Sequence, residues 1–454
     1  MGGTGGMDLP VGSVGPEIFL IIGAVVTLVY ALFAPRRAQA GAAVVALVTI
    51  AVTAVASALM LQGSQGLTFF DTYATDDTAV WAKLIILVVG AVTIGLSVEW
   101  FATDPRHGEY YALLLLAILG AVILAGAADL MAVILGLLLS SATGYVLAAF
   151  HRTHARSGEA AIKYYLLGAF TNGALVYGAV LLFGLGATTT LVGLAFKLGA
   201  VPAHAWVPDV ADGAPAPVAA FLTVAPKVGA LIAISRLVLT LPEDQVGWRL
   251  LIAVLAAATM TLGNLAALWQ DDVRRLLGWS AVSQSGYGLM AVVALGRSDL
   301  AVPSLLFFLV AYSVANLAAF GVVIELRGRA DRGTYAGLAT AQPLLALVLV
   351  LSFLSFVGVP PLAGFTAKLA LFGAAIDAGY TWLAILAVAN TVVSLAYYLR
   401  VIAPSYFRPL AAPVPVLGAW ARGATLICGA AIVVIGILAG PLLRSFDVSR
   451  LLPG

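Results

Sequence analysis

The chain has 454 residues, of which 62% are hydrophobic and only 10% are charged. Soluble globular domains average roughly 25% charged residues, so this composition excludes an ordinary soluble domain and predicts a polytopic protein embedded in a lipid bilayer. The formal net charge of +2 argues against nucleic acid as a partner. The single cysteine, Cys428, excludes internal disulfides and cysteine-ligated iron–sulfur clusters, and the four histidines form no spaced metal motif. We therefore expect no cofactor and no metal in this chain.

Apolar runs long enough to cross a bilayer recur about fourteen times along the chain. The first run lacks the basic segment that precedes the core of a cleaved signal peptide, so it is predicted to be a retained helix. The predicted spans are 17–34, 41–62, 79–101, 110–126, 129–150, 161–184, 186–207, 213–240, 248–269, 274–296, 301–326, 339–376, 381–403 and 415–441.

Arginines are distributed unevenly between the two sets of alternate loops and span ends. Apart from Arg422, which falls inside the last predicted span, one set holds twelve and the other, which includes the termini, holds five. Basic residues near span ends mark the cytoplasmic side of a membrane protein. The bias therefore predicts that both termini lie outside, an arrangement that requires an even number of spans, as fourteen is.

Two of the predicted spans are broken in comparable ways by proline and glycine. The seventh is interrupted between Lys197 and Asp209, and the twelfth between Gly358 and Lys368. Proline removes a helical hydrogen bond, and interrupted helices at matching places in two halves of a chain are typical of inverted-repeat transporters. We therefore predict an all-α polytopic membrane protein with two inverted five-helix repeats and two broken helices, divided into an N-terminal three-helix segment (1–109), a first repeat (110–240), a second repeat (248–403) and a C-terminal helix (404–454).

Three of the five lysines, Lys197, Lys227 and Lys368, lie inside long apolar runs. No acidic or basic residue occurs from 164 to 196 or from 333 to 367. A lysine near the centre of a bilayer costs on the order of 3 kcal/mol, and such residues usually line a proton, ion or substrate path. Burial disfavours the charged form of lysine, so a proton on such a group could be gained and lost. The alternative for each is a lysine whose ammonium extends to the membrane interface.

Three further residues belong to the predicted site. His204 follows Lys197 across the first break, and a neutral imidazole can accept and donate a proton. The alternative for His204 is a hydrogen bond to a backbone carbonyl freed by the break. Gln284 and Tyr287, in the tenth span, are predicted to hold water between the two halves, with helix–helix hydrogen bonding as an equal alternative.

The remaining charged residues near span ends are predicted to be structural. Lys83 and Lys163 open their spans and are interpreted as interfacial anchors. Arg274 and Arg275 follow two aspartates, and the four residues together predict a solvated cytoplasmic turn.

The chain resembles subunit N of the proton-translocating NADH–quinone oxidoreductase, respiratory complex I. The resemblance runs from about residue 110 to 403, and its Gly-Ala-Pro-Ala-Pro and Ala-Pro-Lys strings look like subunit N rather than the sister subunits L and M. The matching stretches are Glu159-Ala-Ala-Ile-Lys-Tyr-Tyr, Phe196-Lys-Leu-Gly-Ala-Val-Pro-Ala-His-Ala-Trp-Val-Pro-Asp, Gly213-Ala-Pro-Ala-Pro-Val, Ala225-Pro-Lys, Gly263-Asn-Leu-Ala-Ala-Leu, Arg274-Arg-Leu-Leu-Gly-Trp-Ser and Gly358-Val-Pro-Pro-Leu-Ala-Gly-Phe-Thr-Ala-Lys.

This resemblance implies a proton-conducting, antiporter-like subunit of a translocase, with no redox chemistry of its own. The lysines of the seventh, eighth and twelfth helices map to Lys197, Lys227 and Lys368, and the histidine after the first maps to His204. NADH, FMN, iron–sulfur clusters and quinone are expected in partner subunits. The expected partners are other membrane-arm subunits, especially an adjacent antiporter-like subunit, in the cell inner (plasma) membrane.

The chain departs from that family in the fifth helix, where a glutamate is typical. Here the string is Leu135-Gly-Leu-Leu138, so the expected carboxylate partner of Lys197 is missing. Glu99 and Asp129 are the nearest carboxylates in sequence. These features suggest a divergent paralogue. Two alternative functions stay open: a subunit of a cation/proton antiporter, which shares the same repeats, and a structural membrane-arm subunit that does not pump, which Leu138 favours.

Overall fold

The computed structural model describes residues 11–61, 65–151, 154–181, 185–410, 417–447 and 449–453. These ranges are almost wholly helical, with three short 3-10 turns (Val11–Val14, Arg36–Ala38 and Arg332–Tyr335) and one antiparallel pair of strands, β1 (Leu67–Thr68) and β2 (Tyr73–Ala74). The α-helices are α1 (Gly15–Phe33), α2 (Gly41–Met60), α3 (Asp77–Ser97), α4 (His107–Gly126), α5 (Leu130–Ala148), α6 (Ala155–Leu181), α7 (Leu185–Leu198), α8 (Trp206–Gly213), α9 (Ala216–Leu222), α10 (Ala225–Thr240), α11 (Glu243–Val246), α12 (Trp248–Leu268), α13 (Val273–Ala294), α14 (Ala301–Glu325), α15 (Leu338–Ala341), α16 (Pro343–Val357), α17 (Ala363–Asp377), α18 (Thr381–Phe407), α19 (Ala419–Ile437) and α20 (Ala439–Asp447).

Eleven segments of the described chain are helical, long enough and apolar enough to cross a membrane. They are α1 to α6, the pair α9–α10, and α12, α14, α18 and α19. Large apolar side chains on the periphery, such as Phe33, Val180 and Trp269, are exposed. A lipid environment accommodates such a surface, because hydrocarbon does not penalise exposed apolar groups. The chain is therefore an all-α, multi-pass membrane protein.

The centre of the bundle is formed by α4, α10 and α14. The span α9–α10 is entirely buried inside the protein, and α14 is nearly so. Leu115 and Ile118 on α4, Leu231 on α10 and Phe320 on α14 belong to one continuous apolar core. These helices are enclosed by protein on all sides, so polar groups on them must find protein or water partners.

The first break separates α7 from α8, and protein groups satisfy its backbone. Gly199 adopts a φ of 70°, in the left-handed region that favours glycine. The carbonyl of Phe196 accepts a hydrogen bond from Nε1 of Trp206 at 2.8 Å. The N–H of Val201 donates to Oγ1 of Thr259 at 3.1 Å. These hydrogen bonds satisfy the backbone groups at the two positions, so the break can lie inside the bundle.

The second break separates α16 from α17 in a similar way. Gly358 adopts a φ of 91°. The carbonyl of Val357 accepts a hydrogen bond from Nζ of Lys368 at 3.3 Å, and the N–H of Gly364 donates to Oγ of Ser355 at 3.1 Å. Each predicted interruption thus lies between two helices, and each is held by side chains from within the bundle.

A hairpin and the C-terminal tail meet at the start of α3. The strand residue Tyr73 bridges to Ala127, at the turn between α4 and α5. The tail (449–453) lies against the same region, where Oγ1 of Thr78 donates to the carbonyl of Arg450 at 2.7 Å. These contacts join the start of α3 to the turn between α4 and α5 and to the C-terminal tail.

Candidate functional site

Lys197 lies in the last turn of α7 and is fully buried. Its Nζ donates to Oγ of Ser141 on α5 at 3.1 Å and to the hydroxyl of Tyr164 on α6 at 3.4 Å. The ring of Tyr164 stacks on Trp206 with the ring centres 4.4 Å apart. Among the described residues, no carboxylate forms an ion pair with Lys197. The lysine therefore has only neutral partners, which can serve either its ammonium or its amine form.

Lys227 lies at the start of α10 and is also buried. Its Nζ donates to the carbonyl of Ala281 and to Oγ of Ser285, the latter at 2.9 Å. The same Ser285 hydroxyl lies 2.7 Å from the carbonyl of Leu198, the residue after Lys197. A single serine on α13 therefore links Lys227 to the end of the helix that carries Lys197.

Lys368 lies on α17 and is 4% exposed. Its Nζ donates to Oγ1 of Thr391 at 3.3 Å, in addition to the carbonyl of Val357. It also lies 4.0 Å from the centre of the Tyr287 ring, a cation–π distance. The hydroxyl of Tyr287 donates to the carbonyl of Ala387 at 3.1 Å and lies 3.1 Å from Oγ1 of Thr391, the oxygen that also accepts from Lys368. Tyr287 therefore contacts the lysine with its ring face, while its hydroxyl joins two helices.

A small cavity lies beside Lys368. It has a volume of about 10 Å³, which is close to the space that one water molecule occupies. Its lining includes Gln284, Tyr312 and Lys368. Nζ of Lys227 lies 5.6 Å from the ring centre of Tyr312. Gln284 lines the cavity and also donates to the carbonyl of Phe356 at 3.4 Å, as the alternative of helix–helix hydrogen bonding expects, so its role in holding water stays a prediction.

His204 lies in the first break, half-buried, with its ring 5.6 Å from Trp279. Its Nδ1 has no hydrogen-bond partner in the part of the chain that the structure describes. None of the described hydrogen bonds joins it to Lys197. That His204 accepts and donates protons next to Lys197 stays a prediction.

Leu138 lies on α5, one helical turn before Ser141, and is 44% exposed. It lines a groove between α5 and α6 that is open to the side of the bundle. The two carboxylates nearest in sequence are engaged elsewhere. Glu99 accepts the N–H groups of the first turn of α19, and Asp129 accepts the N–H of Ala132 at 2.7 Å. Neither replaces the missing carboxylate at Lys197.

The interpretation of Lys83 as an interfacial anchor is wrong. It is fully buried, and its Nζ lies 2.7 Å from Oε1 of Glu17. The sequence analysis did not predict this pair, although Glu17, a carboxylate at the start of the first predicted span, indicated that a buried cation would pair with it. Lys163, by contrast, is 48% exposed and pairs with Glu159 and Asp209 at the surface.

The predicted solvated turn before α13 is only partly solvated. Arg274 is 8% exposed, and its guanidinium donates to the carbonyls of Ala211 and Ala214 at the junction of α8 and α9. Arg275 stays half-exposed and pairs with Asp209 at 3.1 Å. The sequence could not separate the two arginines, because the junction that buries Arg274 lies about 60 residues earlier in the chain.

Known proteins resemble this chain along almost its whole length. Residues 127–192 and 185–394 match the family described as NADH:quinone oxidoreductase/Mrp antiporter, TM. The chain is 43% identical to NADH-quinone oxidoreductase subunit N 1 of Streptomyces griseus, covering 96% of this chain and 97% of that protein. It is 40% identical to NADH-quinone oxidoreductase subunit N of Mycobacterium sp. (strain JLS), covering 94% and 96%.

A solved structure shows the same arrangement of helices. A chain of respiratory complex I from Thermus thermophilus with bound aureothin superposes with a TM-score of 0.81 at 29% identity, covering 97% of this chain and 100% of that one. The match in sequence and in fold extends across both broken helices. The chain therefore belongs to the family of NADH–quinone oxidoreductase subunit N.

Proposed function

We propose that this chain is a membrane-arm subunit of an NADH–quinone oxidoreductase and conducts protons through Lys197, Lys227 and Lys368. Electron transfer in partner subunits, which hold the NADH, FMN, iron–sulfur and quinone sites, drives the translocation. Family membership supports the activity of the assembly. The role of the lysines rests on their burial among neutral partners.

The polar contacts around the three lysines are the observation that carries the proposal. Ser285 contacts both Lys227 and the carbonyl of Leu198, and the water-sized cavity lies between Tyr312 and Lys368. In each transfer an ammonium N–H bond breaks, and the proton passes through a hydroxyl or water to the next neutral amine. A neighbouring charge that changes during turnover would favour one lysine over the next as the proton carrier.

Three more helical segments complete the proposed membrane topology. Adding the broken pairs α7–α8 and α16–α17 and the polar, buried α13 to the eleven apolar spans makes fourteen.

The proposed repeats are supported by two equivalent close contacts. The Cα of Gly120 packs on the backbone of Ser140 in the α4–α5 pair, and Gly263 packs on Ser283 in the α12–α13 pair; a Cβ on either glycine would lie within 2.5 Å of that backbone.

We also propose that both termini lie outside the cell inner (plasma) membrane and that another antiporter-like subunit is adjacent. The bias of arginines towards one set of loops supports this orientation. A protease-sensitive tag on each terminus tests it in right-side-out and inverted vesicles. Cleavage of both tags only in inverted vesicles would contradict it.

The test of the function is alanine substitution of Lys227 and of Lys368 in the complete complex. We expect assembly and NADH oxidation to persist, because an apolar residue removes the cost of a buried ammonium. We expect the proton-to-electron ratio in vesicles to fall. Lys163→Ala is the matched control, since it removes an exposed lysine.

The result for Lys227→Ala separates the alternatives. A wild-type proton-to-electron ratio in that variant would refute the lysine path and favour the structural, non-pumping subunit that Leu138 suggests. Proton movement that depends on sodium or potassium instead of on NADH oxidation would favour the cation/proton antiporter.

A further inference from the structure

A fourth buried lysine lies outside the two proposed repeats. Lys83, in α3, is fully buried, and its Nζ is 2.7 Å from Oε1 of Glu17 in the first turn of α1. The hydroxyl of Tyr73 donates to the same oxygen at 2.5 Å, and the ring centre of Tyr73 lies 4.9 Å from Nζ. Glu17 itself is only 6% exposed. The ion pair is therefore enclosed by α1, α3 and the hairpin.

The depth of this pair follows from a second ion pair nearby. Arg236, near the end of α10, pairs with Asp76 at the start of α3 at 2.6 Å, and the two helices pack side by side in opposite directions. Lys83 lies seven residues below Asp76, and Lys227 lies nine residues below Arg236. At a rise of about 1.5 Å per residue these steps are about 10 and about 13 Å. The backbone of Lys83 thus lies at nearly the depth of the backbone of Lys227, and its side chain reaches Glu17 in the first turn of α1.

The two ion pairs differ in how completely their carboxylates are satisfied. Both oxygens of Asp76 accept hydrogen bonds, from the guanidinium of Arg236 and from the N–H groups of Ala79 and Leu452. In the described part of the chain, Oε2 of Glu17 has no hydrogen-bond partner, and Nζ of Lys83 has none beyond its ion contact. A structural ion pair in a dry interior is stable only when such groups are satisfied. The open positions on Glu17 and Lys83 are those through which water could exchange a proton.

We propose that Glu17 and Lys83 form a proton-binding pair in the N-terminal three-helix segment, additional to the three lysines of the proposed function, on which this inference rests. An N–H bond of the Lys83 ammonium breaks and an O–H bond forms on Glu17, so both charges vanish. Glu17 then releases that proton to water at Oε2, and the Lys83 amine accepts the next. In each cycle the pair therefore takes up one proton and releases one proton. Tyr73 is the hydrogen-bond donor to the pair.

The pair is a separate site and not a link in the lysine series. Between Lys227 and Ser235, α10 carries no polar side chain that could conduct a proton towards the start of α3. Loss of the pair is therefore expected to lower the proton-to-electron ratio without abolishing pumping, whereas loss of Lys227 affects the main path.

Lys83→Arg in the complete complex, reconstituted in vesicles, is the sharpest test. Arginine keeps the positive charge and the ion pair with Glu17, but it does not lose its proton in proteins. We expect assembly and NADH oxidation at wild-type levels with a lower proton-to-electron ratio. Lys163→Arg, at an exposed lysine, is the matched control and should leave the ratio unchanged. A wild-type ratio in Lys83→Arg would overturn the proposal, since a structural ion pair tolerates this change.

The double variant Glu17→Gln with Lys83→Met covers the case in which arginine does not fit. It removes both charges and keeps the approximate volumes, so the burial cost of each ion disappears. A lowered ratio in this variant supports the proposal, and a wild-type ratio overturns it. Failure of both variants to assemble also overturns it, because the role of the pair would then be structural. Lys227→Ala in the same vesicles tests the proposed function independently of these outcomes.

Discussion

Replacing Asp76 with alanine is expected to loosen the start of α3 and the C-terminal tail together. The Asp76 carboxylate caps α3 through the N–H of Ala79 at 2.8 Å, and losing such a cap costs about 1 kcal/mol. The substitution also leaves Arg236, 1% exposed, without its counter-charge, and breaking a buried ion pair costs about 3–5 kcal/mol. Because the same two oxygens make all these contacts, we expect their loss to lower the local stability by about 4 kcal/mol in total.

Hydrogen–deuterium exchange of the purified complex measures this effect locally. About 4 kcal/mol corresponds to roughly a 1,000-fold rise in the opening equilibrium, at about 1.4 kcal/mol per tenfold. We expect a loss of protection of that order in the peptides covering the start of α3. The tail should open as well, because the N–H of Leu452 donates to Asp76 at 2.8 Å.

Asp129→Ala provides the matched control for the cap alone. Asp129 caps α5 through the N–H of Ala132 at 2.7 Å and forms no ion pair with a described residue. Its loss should cost about 1 kcal/mol and lower protection less than about tenfold, at the start of α5 only. If Asp76→Ala loses no more protection than Asp129→Ala, the buried ion pair contributes nothing to the closure of this end of the bundle.

Three other substitutions test the site and the break. Leu138→Glu returns a carboxylate to the face of α5 nearest Lys197 and should raise the proton-to-electron ratio in vesicles; an unchanged ratio would show that position 138 does not act on Lys197. Lys197→Ala should lower that ratio less than Lys227→Ala, and equal, complete loss would show that Lys197 works fully without a carboxylate. Gly364→Ala should prevent assembly on native gels, because its Cβ would lie 1.7 Å from a carbonyl oxygen of α16. Gly373→Ala, on the same helix with room for a Cβ at 3.5 Å, should assemble normally.

Features that depend on local sequence could be predicted. Lys197, Lys227 and Lys368 stand out because no charged residue surrounds them in their apolar runs, and a buried lysine is costly in any membrane fold. The two breaks were predictable because proline cannot continue a helix. That Leu138 stands in place of a glutamate typical of the family stays a prediction, made once the family motif had been matched.

Which groups face one another was decided by the tertiary structure alone. Glu17 and Lys83 are 66 residues apart, and only the tertiary structure, which brings side chains of α1, α3 and the hairpin together, turns an apparent interfacial lysine into a buried ion pair. Ser285 carries no distinguishing local signal, yet it joins Lys227 to the end of α7 because α13 packs against α10 and passes the end of α7. Tyr287 faces Lys368 with its ring instead of its hydroxyl for a similar reason, since its hydroxyl donates a hydrogen bond to the carbonyl of Ala387 on α18. The sequence determined which residues are costly to bury. The packing of distant helices determined which groups pair with those residues. Hydrogen bonds and ion pairs act over about 3 Å, and they depend on side-chain positions that no local sequence pattern specifies.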